Sequence, residues 1–251
     1  MPTLILPPRH TEDTVALWRA ALASGWSTER LASFRAELSV GLAPSDCAIY
    51  GEPFFASTIA AKLGISLLTP PDDWLTSLPF EFLNRRVRHM SLGEARLQKL
   101  PAFIKPADEK CFSAAVYTSV DDLPVPGELD DSVPCLVSDP VVWESEFRCF
   151  VLDGHVVTAS VYSRFGKLAQ SADGDWIADD GEIAQVISLT ERVAGFSGNV
   201  LPRSVVIDVG WISGAGWSIV EANAAWGSGI YGCDPGDVLR AVAAACVVSG
   251  T

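Results

Sequence analysis

Three oxygen-bearing side chains interrupt an otherwise apolar run between residues 204 and 234, and they are the first candidates for chemistry. They are Asp208, Glu221 and Asn223. Acidic and amide groups do not enter a buried strand without a partner, because an unpaired charge is costly to bury. Residues 213–216 read Ser-Gly-Ala-Gly, a turn signal between two β-rich runs. The pattern therefore predicts a β-hairpin that carries these three side chains.

The register of this hairpin decides whether the three side chains meet. If the hairpin closes on residues 214–215, counting outward places Asp208 directly across from Glu221. Alternate strand residues share a face, so Asn223 lies on the side of Glu221. Two carboxylates and an amide oxygen then form a hard-oxygen site suited to Mg²⁺ held jointly with phosphates. The alternative is a hairpin whose acids are solvated on its outer face, and a one-residue slip would scatter the cluster.

Two lysines and a Glu-x-Arg pair lie upstream of the hairpin. Residues 102–106 read as a buried strand that ends at a proline, which leaves Lys105 at the strand end, where its charge can meet a phosphate. Lys110 follows in the loop 107–114, and the alternative for both is a surface lysine. Glu146 and Arg148 share one face of a strand that runs into an Asp-Gly hairpin signal. Such a pair is also often only a surface ion pair.

The remaining elements indicate a mixed α/β and α+β protein. Strands at 3–6, 47–50 and 65–68 alternate with helices at 12–23 and 54–63, which predicts a small α/β layer with a parallel sheet. A basic helical segment is expected over 81–89, and its arginines can also be a solvated helix face. Further helices are expected at 183–194 and 238–247, and the apolar helix at the end of the chain could serve a homodimer.

Composition limits the class of function. The chain has 251 residues, of which 49% are hydrophobic and 20% charged, so one large domain or two small ones with a sizeable core is expected. The net charge of −13 argues against a nucleic-acid partner bound through a broad basic surface. The longest apolar stretch near the C-terminus, 238–248, is too short to span a bilayer, and the N-terminus lacks a signal-peptide pattern. We therefore expect a cytoplasmic protein without a membrane partner.

Cysteine and histidine usage argues against a disulfide framework or a zinc site. The six cysteines form no C-x-x-C pair and mostly lie in apolar runs, so they are expected to be buried free thiols of a reduced compartment. The three histidines form no H-x-x-x-H pair. The common phosphate-loop, dinucleotide and hydrolase motifs are also missing from the sequence.

The order of the motifs that are present resembles the ATP-grasp superfamily. A strand-Lys-Pro piece is followed by Glu-x-Arg before a hairpin, a strand with a single aspartate, and Glu-x-Asn before a small-residue loop. The last of these pieces resembles a clade of bacterial and phage-borne ATP-grasp domains with unassigned substrates. The resemblance implies a pre-ATP-grasp α/β domain at 1–95 and an ATP-grasp domain at 96–251. The latter would comprise a central subdomain at about 101–165 and a C-terminal subdomain at about 166–251, which grip ATP between them.

The same resemblance implies roles for individual residues. Lys105 matches the lysine that contacts nucleotide phosphate, Lys110 lies where the family places its phosphate-covering loop, and Glu146 matches the acid that holds the ribose. Arg86, or its neighbour Arg85, matches a basic residue on the nucleotide. The implied metal ligands are Asp208, Glu221 and Asn223. Val206 occupies the position of an arginine in many members, so the candidates to stabilise the transferring phosphate are Arg148, Arg164 and Arg203.

The activity that the resemblance implies is ADP-forming carbon–nitrogen ligation with ATP and Mg²⁺. A small-molecule or peptide carboxylate would be phosphorylated, and an amine would displace phosphate from the acyl phosphate. These steps rely on positioning and electrostatics and need no protein nucleophile. The loop 107–114 has no glycine to close around phosphates. This leaves two alternatives: an ATP-binding regulatory or protein-modifying module without ligation, and an ATP-dependent phosphotransferase.

Overall fold

The structure, a computed structural model, describes residues 1–33, 35–107 and 110–250. The N-terminal unit is built around a three-stranded parallel sheet in which the first strand is central. Its helices have clear boundaries: Thr11 and Thr14 form a capping box at the first, and Gly64 ends the second in the left-handed conformation. The elements are β1 (Thr3–Leu6), α1 (Glu12–Ala23), β2 (Ser27–Arg30), β3 (Cys47–Ile49), α2 (Pro53–Leu63) and β4 (Ile65–Leu67).

The predicted α/β layer is confirmed with two changes. Strand β2 was not predicted, because its sequence Ser-Thr-Glu-Arg has no apolar alternation and it lies at the edge of the sheet. Strand β4 does not join this sheet and instead pairs antiparallel with a strand from the other end of the chain, Cys246–Val248.

The basic segment at 81–89 is not one helix, as was predicted. A short helix, α3 (Phe80–Leu83), ends at Asn84, which adopts the left-handed conformation with φ 48°. The chain then extends as β5 (Val87–Ser91), because its backbone pairs antiparallel with the later strand Pro134–Ser138. A capping box of Ser91 and Glu94 starts α4 (Leu92–Ala95), as the sequence predicted.

A four-stranded antiparallel sheet follows, in the order β5-β8-β6-β7. Its remaining strands are β6 (Ala102–Pro106), β7 (Ala115–Tyr117) and β8 (Pro134–Ser138). In β6, Ala102 and Ile104 are buried in a core with Leu92. The alternation of the strand turns Lys105 to the opposite face.

A five-stranded antiparallel sheet in the order β11-β10-β9-β12-β13 forms the rest of the molecule. One of its faces packs against the long helix through Phe147 and Ile207, and the other contributes Phe150 and Val206 to the N-terminal core. The elements are β9 (Trp143–Leu152), β10 (His155–Arg164), β11 (Lys167–Leu168), α5 (Asp180–Ser197), β12 (Ser204–Ile212) and β13 (Gly216–Asn223).

The strands divide between the two large sheets at residues 139–142. The subdomain boundary predicted near residue 165 instead falls between β10 and β11, which pair with each other. The reason is that the Asp153-Gly154 hairpin turns β10 back onto β9, and β9 pairs on its other side with β12.

The chain ends with α6 (Pro235–Ala244) and β14 (Cys246–Val248), so the helix predicted at 238–247 is shorter than expected. Asp234 caps α6. Val238, Leu239 and Val242 are buried in the N-terminal core, so this helix packs its apolar residues inside its own chain instead of offering them to a second copy.

The cysteines and helices of the described residues give two further findings. All six cysteines are free, but Cys111 is exposed, which differs from the expectation for the set. None of the helices in the described part of the chain has the length and apolar character needed to cross a membrane.

Candidate functional site

A β-bulge in the last hairpin sets the geometry of the site. Near the turn the strands pair with Val209 opposite Ile219, but one step further Asp208 lies opposite Glu221. Val220 is therefore an extra residue in β13, and it restores the register predicted for the two acids. The pairing of Asp208 with Glu221 is confirmed, whereas the predicted register at the turn is wrong by one residue.

The turn explains this difference. Ile212 pairs with Gly216, and the Ala215 amide donates to the Ile212 carbonyl at 3.0 Å, so three residues lie between the paired ends. Gly214 and Gly216 both have positive φ, at 77° and 99°, a conformation that glycine adopts without strain.

Each acid of the cluster is neutralised by a cation from another strand. The guanidinium of Arg148 holds the fully buried Asp208 through two hydrogen bonds, Nε to Oδ1 at 2.9 Å and Nη2 to Oδ2 at 2.7 Å. Lys105 forms an ion pair with Glu221. The Asn223 amide nitrogen links the acids by donating to Glu221 Oε1 at 2.9 Å and to Asp208 Oδ2 at 3.3 Å. The three predicted side chains therefore meet on one face.

The charges are stabilised by this pairing. Burial alone lowers the pKa of Arg148, but the Asp208 carboxylate beside it raises that pKa above its ordinary value. Burial alone raises the pKa of Glu221, but Lys105 and Asn223 together hold it below its ordinary value. The site is a set of ionised groups at neutral pH.

Two tyrosines that the sequence did not single out enclose Arg148. Tyr162 and Tyr231 stack with ring centroids 5.0 Å apart, and the guanidinium carbon lies 5.5 Å and 5.0 Å from their respective centroids. The Tyr162 hydroxyl donates to Glu146 Oε2 at 3.0 Å. Arg148 Nη1 also donates to the Gly229 carbonyl at 3.0 Å. The arginine thus connects the acid cluster to the glycine-rich loop after β13.

The N-terminal unit anchors the same loop. Asp13 Oδ2 accepts the Ile230 amide at 3.3 Å, and the Tyr50 hydroxyl donates to the Ser228 carbonyl at 2.9 Å. Burial raises the pKa of both Asp13 and Tyr50. Neither residue lies in a recognisable motif, so only the three-dimensional contact reveals its role.

Two cavities meet at the Lys105–Glu221 pair, which lines both. The smaller cavity, of about 380 Å³, is mainly apolar, with charged side chains at Arg85 and Glu146. The larger cavity, of about 890 Å³, lies between the first turn of α2, the segment after β4 and the loop after β13. Its volume is typical of a pocket for a small ligand.

The predicted nucleotide residues are placed as follows. Lys105 and Glu146 line the smaller cavity, and Lys110 lines the larger. Of the two adjacent arginines, Arg85 is buried at the smaller cavity, while Arg86 is exposed and its backbone amide donates to Asp139. Asp108 and Glu109 of the predicted covering loop lie outside the described residues.

Of the three arginines predicted to stabilise the transferring phosphate, only Arg148 reaches the cluster. Arg164 makes two hydrogen bonds of 2.6 Å to Glu182 on α5, on the other side of the sheet. Arg203 pairs with Asp153 on the surface at the far end of β12. In the described part of the chain, neither is among the residues that line the two cavities. Strand alternation and position along β12, which a motif match does not take into account, explain both corrections.

The donor set can be compared with the needs of a divalent cation. Across the described ranges, no three His, Cys, Asp or Glu side chains converge as a metal-binding group. The cluster instead offers two carboxylates and an amide, which are hard oxygen donors of the kind that Mg²⁺ prefers when it also binds phosphate. Glu221 and Asn223 line the larger cavity, whereas both Asp208 oxygens are held by Arg148.

Comparisons with known proteins place this geometry in a family. The model of an ATP-grasp domain family, described as the second family of its clade, matches residues 82–241, which is more than half of the chain. A search of curated proteins gave no match.

Solved structures share the fold at low sequence identity. The ATP-grasp ligase PsnB in complex with a minimal precursor is 12% identical with a TM-score of 0.54, over 98% of this chain and 99% of its own. A RimK-domain ATP-grasp protein from Sphaerobacter thermophilus is 14% identical with a TM-score of 0.56, over 97% and 98% respectively. N5-carboxyaminoimidazole synthase from Aspergillus clavatus, bound to ADP and 5-aminoimidazole ribonucleotide, is 12% identical with a TM-score of 0.55, over 96% and 77%. These likenesses establish the fold.

Proposed function

The chain belongs to this ATP-grasp domain family, and on this premise we propose that it is an ATP- and Mg²⁺-dependent carboxylate–amine ligase. The reaction forms ADP and proceeds through an acyl phosphate. One observation carries the proposal: the Lys105–Glu221 ion pair stands in the wall shared by the two cavities. A nucleotide in the smaller cavity would direct its phosphates to this wall, and a carboxylate in the larger cavity would meet them there.

The smaller cavity suits the nucleoside part of ATP. Its apolar lining includes Phe103 and Trp143, which can cover a flat base. Glu146 lies in the same lining and is the acceptor we propose for the ribose hydroxyls, with its carboxylate oriented by Tyr162. The neighbour from Aspergillus clavatus was solved with ADP, which supports a nucleotide in this fold.

The acid cluster is the proposed magnesium site. Glu221 and Asn223 would hold the ion from the side of the larger cavity, with Asp208 behind them. The fit is supported by the oxygen donors and by the two cations, Lys105 and Arg148, that now balance the acids. When bound, Mg²⁺ supplies positive charge shared among the phosphate oxygens.

The side chains of this chain do the remaining work by positioning charge. Lys105 moves from Glu221 to the phosphate oxygens, where its ammonium offsets the negative charge. Arg148 keeps Asp208 ionised and fixes the Gly229 carbonyl, so that the loop after β13 holds its shape. Neither step requires a protein nucleophile.

The bonds made and broken follow from the two substrates. A carboxylate oxygen attacks the γ-phosphorus, forms a new P–O bond, and releases ADP as the bond to the β–γ bridging oxygen breaks. The amine nitrogen then attacks the acyl carbon, a C–N bond forms, and phosphate leaves while the nitrogen loses a proton. Both substrates are placed in the larger cavity, whose lining includes Phe54, Pro71 and Trp226. Its size accepts a small molecule or the end of a peptide.

The proposal is tested by ADP release. The purified protein is incubated with ATP and MgCl₂ and with a matrix of carboxylates and amines, including peptides, and products are identified by mass spectrometry. Ligation predicts ADP and an amide only when both an acid and an amine are present. A phosphorylated product without an amide would show phosphoryl transfer instead. Tight ATP binding with no ADP from any pair would favour a regulatory ATP-binding module.

A further inference from the structure

Arg85 is a buried arginine whose contacts are unusual. The residue is 6% exposed, and among residues 1–33, 35–107 and 110–250 no carboxylate lies within ion-pair distance of it. The guanidinium instead donates to backbone carbonyls, from Nη1 to Leu83 at 3.2 Å and to Ile219 at 2.7 Å, and from Nη2 to Val220 at 3.0 Å. Trp143 covers it, with the ring centroid 5.0 Å away.

These carbonyls belong to the bulge of β13. The register changes between Ile219, which pairs with Val209, and Glu221, which pairs with Asp208. Consecutive carbonyls of a regular strand point to opposite edges, yet one guanidinium receives those of Ile219 and Val220 together. The bulge brings both to the outer edge of β13, which is the edge strand of its sheet.

From these contacts we infer that Arg85 is a positioning residue that holds the β13 bulge and thereby keeps Glu221 and Asn223 on the face of Asp208. Without the extra residue, the register of the turn continues, and Val220 takes the place opposite Asp208. Glu221 and Asn223 then point to the α5 side of the sheet, because a one-residue shift moves every later side chain to the other face.

The residue type fits the task. A guanidinium presents donors in a planar fork, so it can bind two neighbouring carbonyls at once, whereas a lysine offers a single ammonium. The preceding residue assists: Asn84 Nδ2 donates to the Ser218 hydroxyl at 2.8 Å and to the Trp217 carbonyl at 3.3 Å. Asn84 and Arg85 therefore cover the edge of β13 from the turn to the bulge, and the buried edge carbonyls keep their partners.

The direct test is the crystal structure of Arg85→Met, with Arg88→Met as the control, since Arg88 is exposed on β5. We expect the Arg85 variant to lose the hydrogen bonds from Asn223 to both acids as β13 relaxes toward the regular register. The control should keep them. An unchanged bulge with Glu221 still opposite Asp208 in Arg85→Met overturns the inference. So does failure of both Arg85→Met and the milder Arg85→Lys to fold, which would make Arg85 a residue of general stability.

A second readout uses Mn²⁺ as a spectroscopic probe and rests on the proposed function. Binding of Mn²⁺ to the ATP-saturated protein is followed by electron paramagnetic resonance. We expect Arg85→Met to weaken it by about tenfold or more, as supporting residues of metal sites do. Deleting Val220 should cause a similar loss, and the two changes together should not multiply. A register change in a protein whose wild type binds no Mn²⁺ would refute the metal site and leave the role of Arg85 standing.

Discussion

Asp208 lies opposite Glu221 because β13 carries one more residue than β12 between the turn and the pair, and that residue is Val220. The insertion aligns Glu221 with Asp208, and Arg148 on the neighbouring strand lies directly across from Asp208 as well. Three adjacent strands thus present an acid, an acid and an arginine side by side. The charge balance of this row gives the first prediction.

Arg148→Met should destabilise the protein strongly. It leaves the fully buried Asp208 without its cation, and breaking a buried ion pair from one side costs about 3–5 kcal/mol. The free energy of unfolding in urea at pH 7 measures the loss. Adding Asp208→Asn should recover part of it, because the uncompensated charge is removed. The matched control is Arg203→Met, which breaks an exposed bidentate pair with Asp153 and should cost about 0–1 kcal/mol. Equal losses in the two arginine variants would contradict the role assigned to burial.

Lys105→Met should weaken ATP binding while leaving the fold intact. The lysine is the cation at the junction of the two cavities, and a charge-assisted contact of this kind contributes about 1.5 kcal/mol or more, which is roughly tenfold in affinity. Titration calorimetry with ATP and Mg²⁺ gives the affinity. Lys99→Met changes the same charge at an exposed position and serves as control. If both variants bind ATP within twofold of the wild type, Lys105 does not contact the phosphates.

The ion pair of Arg164 and Glu182 should make stability depend on pH. The hydrogen bonds from Arg164 hold the pKa of Glu182 below its ordinary value in the folded chain. Its contribution is therefore present above the ordinary glutamate pKa of about 4.3 and is lost as pH falls through the folded pKa. Glu182→Gln should cost about 0.5–1 kcal/mol near pH 7 and almost nothing below the folded pKa. Unfolding curves across this pH range are the measurement, with the exposed Glu37→Gln as control. A cost that is equal at both ends of the range would show that the pair is not the cause.

The sequence alone predicted the residues of the cluster but not the way they are held. Alternation and a glycine turn were enough to bring Asp208, Glu221 and Asn223 to one face, because these are local properties of a hairpin. The bulge at Val220 has no turn residue or proline to mark it. Its stabilising partner, Arg85, lies more than a hundred residues upstream.

The fold could be predicted in the same uneven way. The boundaries of α1 and α2 follow from Thr11 and Gly64, which act on their own helices. The segment after Asn84 was predicted as helix and is a strand, since its partner β8 lies some fifty residues away and the backbone pairing outweighs local propensity. The same reasoning applies to Asp13, which reaches Ile230 only in the folded chain.

Gly232→Ala should disturb the loop that Arg148 holds. A Cβ at this position would lie 2.4 Å from Trp176 Cβ and 2.5 Å from Ser160 Oγ, closer than atoms can approach, and Trp176 Cβ cannot move without its backbone. Trp176 packs edge-on against Tyr231, which in turn stacks beside the Arg148 guanidinium. The strain should therefore cost about 1–3 kcal/mol.

Calorimetric melting compares this variant with Gly195→Ala, in the exposed interior of α5, where a Cβ meets nothing within 4 Å. The control should stabilise the protein by about 0.5–1 kcal/mol, because alanine favours the helix over glycine. Opposite signs for the two glycine-to-alanine changes would separate a steric requirement from a general effect of glycine. If Gly232→Ala also weakens ATP binding, the loop is coupled to the site through Tyr231 and Arg148. Stability equal to that of the wild type would mean that Trp176 and the loop can separate without cost, and the proposed support of Arg148 by this loop would fail.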